Sequence, residues 1–473
     1  MASDVKKNVK NIIYTVWANG ISTVISVILS LLIPKLFSVS EYGMWQLYSF
    51  YISYVGLMHL GWPDGVYLRF GGFEYDKLPK QNLSNQFWSM NLFECILSFF
   101  ITAFTIFAFD SDNKIVWIGF SICFLINSAR MFVLLIYQAT NRIKEYSQYL
   151  KLDRYIFFVL VIIGMFLGVR QYQYLICFDL LGKAIALVTS IRGVRDFVLI
   201  HPTIFAKQTL KEALNNISIG SKLTFGGLAT SLVIGVLRQS IQTHWGIEVF
   251  AKISFTLNIS NFVMLFINTI GQVLFPILRT IDASKYREIF VSMRSILTVT
   301  LLFILAGYFV ANPVLNLWLP NYADGLQYMA LLFPVYVFES KSALLYTAFF
   351  KTIRKESWIL VVNVVTLIFC LVTVPVFVFV FDNIQYAVLF YVSAAWLRNT
   401  ISDILTSRYM ETAWIKSLLF DSITIILFML IAWNFNAISG LLSYICVFVI
   451  YIICQKNEIK QALDLVKPII ARN

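Results

Sequence analysis

Residues 358–381 read WILVVNVVTLIFCLVTVPVFVFVF, 24 residues without a formal charge. At 1.5 Å per residue this run makes a helix of about 36 Å, enough to cross the ~30 Å hydrocarbon core of a bilayer. Outward from it, comparable apolar windows cover 12–37, 43–61, 87–109, 114–138, 155–168, 174–191, 217–242, 251–278, 289–311, 327–350, 385–405, 417–433 and 440–454, with 155–168 the shortest. Of 473 residues, 59% are hydrophobic and 13% charged. A soluble domain carries about 45–50% apolar and about 25% charged residues. The sequence therefore predicts an all-α polytopic membrane protein of about 14 transmembrane helices. Runs this long and unbroken exclude a transmembrane β-barrel.

The net charge of +12 is topological. With a cytoplasmic N-terminus, 26 of the 37 Lys and Arg residues fall in inside segments, while the outside loops hold only Lys114 and Arg170. This is the positive-inside pattern, and it puts both termini in the cytoplasm. It makes a nucleic-acid reading unnecessary. The outside loops are short, the longest running from about Asn312 to Gly325, and no GxxxxGK[ST] occurs, so the sequence offers neither an external domain nor an ATPase. The six cysteines lie in apolar runs without CxxC spacing, and His59, His201 and His244 are far apart, so no metal or cofactor site is expected. The first apolar run is longer than the core of a signal peptide and ends at Pro34-Lys35 without a cleavage motif.

A basic, polar linker from Arg192 to Asn216 divides the chain. An offset of 207 residues superposes Gly20 on Gly227, Thr23 on Thr230, Glu41 on Glu248, Ile52 on Ile259 and Ser53 on Ser260, and lays spans 1–2 over spans 7–8. Six spans per half make this a parallel repeat, with the substrate path expected at the interface of the halves. The expected organisation is an N-terminal lobe at 1–200, a C-terminal lobe at 201–416, and two further helices with a cytoplasmic tail at 417–473.

Polar residues recur at helical spacing in four spans. Span 1 carries Thr15, Asn19, Ser22, Ser26 and Ser30, and span 2 carries Gln46, Ser49, Ser53 and Gly56. Span 7 carries Thr224, Gly227, Ser231, Gly235, Arg238 and Gln242, and span 8 carries Ser254, Asn258, Asn261, Asn268 and Gln272. Each set lies on one helix face. Small polar residues also glue transmembrane helices together. The amides of span 8 exceed what packing requires and point to a water-filled cavity.

Charges within the spans are functional candidates by default. Arg130 in span 4 and Arg238 on the polar stripe of span 7 are candidate cavity cations. Asp179 and Lys183 stand four apart in span 6 and can pair on one face. Glu339 is central in span 10, with Arg398 in span 12 or a neighbour as its partner. It reads either as a fixed ion pair or as a proton- or Na⁺-coupling site. Glu94 falls near the inner end of span 3, at interfacial depth. The deep charges are mostly cationic, which favours an anionic cargo.

Three segments carry a resemblance. Glu41-Tyr42-Gly43-Met44-Trp45-Gln46-Leu47 after Pro34-Lys35-Leu36-Phe37 resembles the turn after the first helix of Wzx-type bacterial polysaccharide flippases, of the multidrug/oligosaccharidyl-lipid/polysaccharide exporter superfamily. The segment from Tyr137 to Tyr146 is similar to that family's end of helix 4. Leu317-Trp318-Leu319-Pro320-Asn321-Tyr322-Ala323 is similar to its loop between helices 9 and 10, with Pro320 where the family carries glycine.

The resemblance implies two six-helix lobes in a V-shaped bundle in the bacterial inner membrane. It implies alternating-access export of an undecaprenyl-pyrophosphate-linked oligosaccharide for surface polysaccharides such as lipopolysaccharide O-antigen. The glycosyltransferases and polymerase of the same pathway would be partners. Without an ATPase, the driving force would be an H⁺ or Na⁺ gradient or removal of product. The rivals are a multidrug/ion antiporter of the same fold, which needs cavity carboxylates that the four stripes lack, a polysaccharide polymerase or ligase, which needs a large outside loop, and a passive scaffold.

Overall fold

The computed structural model describes residues 20–108, 111–204, 206–262, 264, 267, 278 and 282–470; it is helical, with no strand among them. The chain forms two compact units, Met1–Ser231 and Leu232–Asn473. The division falls inside a long helix rather than in the 192–216 linker.

The first unit holds α1 (Gly20–Leu36), α2 (Val39–Ile52), α3 (Trp62–Phe70), α4 (Lys80–Ala108), α5 (Ser111–Ala139), α6 (Ile143–Phe166) and α7 (Tyr172–Ile191). It also takes the first part of α8 (Lys207–Ser260), which breaks at Gly246, where φ is 81°. The second unit takes the rest of α8, then α9 (Tyr286–Leu305), α10 (Tyr308–Trp318) and α11 (Val335–Lys341). A π-turn at Ser342–Tyr346 carries α11 on into Thr347–Thr352. The unit closes with α12 (Glu356–Pro375), α13 (Ile384–Tyr409), α14 (Ile415–Asn434), α15 (Ala437–Cys454) and α16 (Lys456–Ile470).

Every apolar window overlaps at least one of these helices, though 43–61 runs past the end of α2 and 251–278 past the end of α8. The doubtful window 155–168 is the end of α6, which starts at Ile143. Hydropathy hid its first half because that half carries Lys144, Lys151, Asp153 and Arg154.

In the first unit α5 is the hub, with 67% of its apolar window buried against 22% for α4. It packs on α2, α3, α4 and α7. The outward side of α4 is phenylalanine: Phe99, Phe100, Phe104 and Phe107 are 64–89% exposed, the surface expected against lipid. The α3 backbone lies directly on α8. A Cβ on Gly65 would overlap the backbone of Asn216, and one on Gly220 the backbone of Gly61.

The three segments of the resemblance are structural here. Ser38 caps α2 by accepting the Glu41 N–H at 3.3 Å. The Glu41 carboxylate accepts the Tyr172 N–H, satisfying an orphan donor of α7. Trp45 stacks on Phe157 of α6 at 5.2 Å. Asn141 takes the left-handed conformation, φ 56°, that turns α5 into α6, and Arg142 sits over the rings of Tyr75 and Tyr137. Pro320 opens a 3₁₀ turn, where its missing N–H costs nothing.

Candidate functional site

Two of the candidate charges of the first unit, Arg130 and Lys183, are paired with carboxylates. Arg130 is 3% exposed. Its guanidinium donates to both Asp153 oxygens, at 3.2 and 3.0 Å, and to the carbonyls of Tyr149 and Leu150, at 3.2 and 2.8 Å. This is a buried ion pair joining α5 to α6, so the cation expected for the cavity carries a counter-ion here. The reason is the hidden first half of α6: Asp153 reads in sequence as part of an inside loop, whereas the helix carries it alongside Arg130. Asp179 accepts from Lys183, one turn along α7, and from the Tyr48 hydroxyl of α2 at 2.6 Å.

Among the described residues the α6 cations Lys151 and Arg154, like Lys144 at the helix start, have no carboxylate partner. Lys151 is 6% exposed, and its ammonium has no hydrogen-bond partner among the described residues. One turn on, Arg154 is exposed. It reaches the serine stripe of α1 at long range, 3.5 Å to Ser22 Oγ and 3.4 Å to Ser26 Oγ. At a spacing of three they share one face of α6. Sequence reading missed both by assigning them to an inside loop. The available signal was their spacing with Lys144, which continues a helical period into the window at 155.

In the second unit Arg398 Nη1 donates to both Glu339 oxygens, at 2.9 and 2.8 Å. Asp403, five residues after Arg398 on α13, is met by Arg294 at 3.5 Å, whose guanidinium also donates to Ser407 Oγ and the Ala413 carbonyl. Lys341 donates to Asp421 at 2.7 Å, and Tyr451 donates to the other Asp421 oxygen at 2.8 Å. These contacts tie α9, α11, α13, α14 and α15 together. In both units the carboxylates Asp153, Asp179, Glu339, Asp403 and Asp421 are neutralised by cations.

The polar stripe of span 8 is inverted relative to a lipid-facing helix. From Phe250 to Ser260 every residue is buried except Lys252, which bonds Asp324, and Asn258; Asn261 just beyond is exposed. Apolar side chains turn inward while amides stay open. That is costly against hydrocarbon and favourable against water. In α2, Tyr42 to Tyr48 are buried, while Ser49 is partly open and Ser53 exposed. Arg238 is half-buried, its guanidinium 5.2 Å above the Phe250 ring, and Gln242 accepts from Gln239 at 3.2 Å. Asn19, Asn268 and Gln272 lie outside the described residues.

The second unit also holds a cavity of about 470 Å³ whose polar lining is carboxamide and indole: Asn312, Asn316, Gln327, Asn436 and Trp433. Its lining carries no charged side chain. Among the described residues no group of three or more His, Cys, Asp or Glu is placed to hold a metal.

Helix content, apolar exposed faces and helix-to-helix charge pairs define an all-α polytopic membrane protein. Solved structures with this fold are transporters rather than enzymes. The lipid II flippase MurJ, in an inward closed conformation, superposes with a TM-score of 0.66 at 11% identity over 94% of this chain and 99% of its own. An inward-facing multidrug resistance MATE transporter of the MOP superfamily gives 0.58 at 12% identity, over 83% and 94%. A MATE in the straight conformation gives 0.51 at 12%, over 85% and 96%. At such identities the likeness is one of fold. No protein-family profile and no curated protein matches the sequence.

Proposed function

We propose that this chain is a flippase for an anionic, lipid-linked oligosaccharide, moving it across the bacterial cytoplasmic membrane by alternating access, with both termini cytoplasmic. The observation that carries the reading is the pair Lys151 and Arg154, two cations on one helix face with no carboxylate of their own, beside the serines of α1. Uncompensated positive charge within a membrane protein is expensive unless an anion or water meets it. A pyrophosphate supplies that anion, and Arg154 would hold it by charge-assisted hydrogen bonds. Within the second unit by itself, the carboxamide cavity with Trp433 suits the hydroxyls and apolar faces of sugars. The lipid tail would stay in hydrocarbon.

A multidrug antiporter for cationic drugs would need open, unneutralised carboxylates; the five named above are paired. Undecaprenyl pyrophosphate and undecaprenol, compared for binding to the purified protein, test the reading. The wild type should prefer the pyrophosphate, and the Lys151→Ala/Arg154→Ala variant should lose that preference while remaining folded. Equal binding of both lipids by the wild type would refute it.

A further inference from the structure

Glu94 differs from the five paired carboxylates Asp153, Asp179, Glu339, Asp403 and Asp421. It lies at the midpoint of α4 (Lys80–Ala108). It is 0% exposed, and among the described residues neither carboxylate oxygen has a completed hydrogen bond. The Ser128 hydroxyl on α5 is the polar group facing it, itself fully buried and without a completed hydrogen bond. One turn before stands Met90, fully buried, and one turn after stands Ser98, committed to Ser121 of α5.

The charged and titratable groups of the neighbouring elements are occupied or remote. On α5, Arg130 is held by Asp153, Asp112 and Lys114 stand at the helix start, Tyr137 donates to the Ser190 carbonyl, and Cys123 is buried near Lys183 and Asp179. From the turn at Arg195–Val198, which also packs on α4, Asp196 pairs with Lys80 and Tyr75, and Arg195 is exposed. On α4 itself the adjacent Cys95 is exposed.

An ionised carboxylate in this place would lose its hydration and, among the described residues, receive no cation in return and only the Ser128 hydroxyl as a facing donor. A neutral carboxylic acid fits: its O–H can donate to Ser128 Oγ, and its carbonyl needs little. We propose that Glu94 is a proton-binding site, protonated in this conformation, which gives its proton to water only when the seam between α4 and α5 opens. The proton leaves for water as the carboxylate becomes hydrated, and it returns when the seam closes. This rests on the transport reading only for its last step, that the proton is the coupling ion of the carrier.

Two measurements on the full chain in liposomes test it without any cargo. Infrared difference spectra at neutral pH should show a buried carboxylic-acid carbonyl band that E94Q lacks. The Ser128→Cys variant, alkylated with a small permeant maleimide and read by peptide mass spectrometry at position 128, should label faster as pH rises. In the E94Q background that acceleration should shrink at least several-fold, to the part owed to thiol ionisation. Since Gln mimics the neutral acid, E94Q should unfold at the wild-type temperature at neutral pH. A band that persists in E94Q, or labelling whose pH dependence ignores the substitution, overturns the proposal. Neither outcome depends on whether the cargo is a lipid-linked glycan.

Discussion

Arg130→Ala separates the two kinds of intramembrane cation in this protein. The substitution removes four hydrogen bonds, two to Asp153 and one each to the Tyr149 and Leu150 carbonyls. It leaves a carboxylate whose side chain is 14% exposed without its cation. Breaking a buried pair by deleting one partner costs about 3–5 kcal/mol. In a unit of 231 residues, each kcal/mol moves the unfolding temperature by about 2–4 °C, so a fall of roughly 10 °C is expected. Asp153→Ala should cost a similar amount. The double variant Arg130→Met/Asp153→Leu should recover most of the loss, because it removes both charges and fills the space with apolar volume. Arg154→Ala, at an exposed cation with only long contacts to two serines, should leave the unfolding temperature within a degree or two. Thermal unfolding of the four variants in detergent, followed by the monodisperse fraction after heating, reads this directly. An Arg130→Ala protein as stable as the wild type would refute the assignment and return Arg130 to the cavity.

Three further outcomes follow from the packing and the surface. Gly65→Ala or Gly220→Ala should destabilise by about 1–3 kcal/mol or more, since the added methyl meets backbone rather than a movable side chain; a neutral result in thermal unfolding would contradict the close approach of α3 and α8. Asp382, in the turn before α13, is held below the usual carboxylate range because His244 and Trp245 donate to it. A depressed folded value means its contribution is complete above the ordinary carboxylate pKa and is lost as pH falls through the lower one. The wild type should thus lose stability on that acid limb, and Asp382→Asn should flatten it in a pH series of unfolding temperatures. Glu339→Gln should lower stability by leaving Arg398 without its counter-charge, and Glu339→Arg/Arg398→Glu should restore part of it; a stable Glu339→Gln protein that has lost only gradient-dependent transport would make Glu339 a coupling residue instead.

The fold was legible because lipid imposes one rule on every span: the apolar run must be long, and windows such as 358–381 obey it. The pair Asp179–Lys183 was legible because four residues make one helical turn. The pairs Lys341–Asp421 and Arg294–Asp403 were not, since partners 80 and 109 positions apart meet only through tertiary packing. The first half of α6 failed for a different reason. Hydropathy scores a charge alike whether water or a buried counter-ion receives it, so Lys151, Asp153 and Arg154 read as loop. That single boundary moved the strongest cation candidate from Arg130 to Arg154. For Glu94 the window opening at 87 gave only the apolar part of a helix that begins at Lys80, whose first turns are held by polar contacts such as Gln81 to the His201 carbonyl and Asn85 to Thr203.

Reconstitution into liposomes with a fluorescent undecaprenyl-pyrophosphate-linked disaccharide, and quenching of the label exposed in the outer leaflet, tests the central claim most directly. The wild type should equilibrate the labelled lipid between leaflets far faster than protein-free liposomes. Arg154→Ala should lose most of that rate at unchanged stability and protein content, and Arg154→Lys should keep part of it. A wild-type rate equal to that of empty liposomes, or an Arg154→Ala rate equal to that of the wild type, would contradict the account.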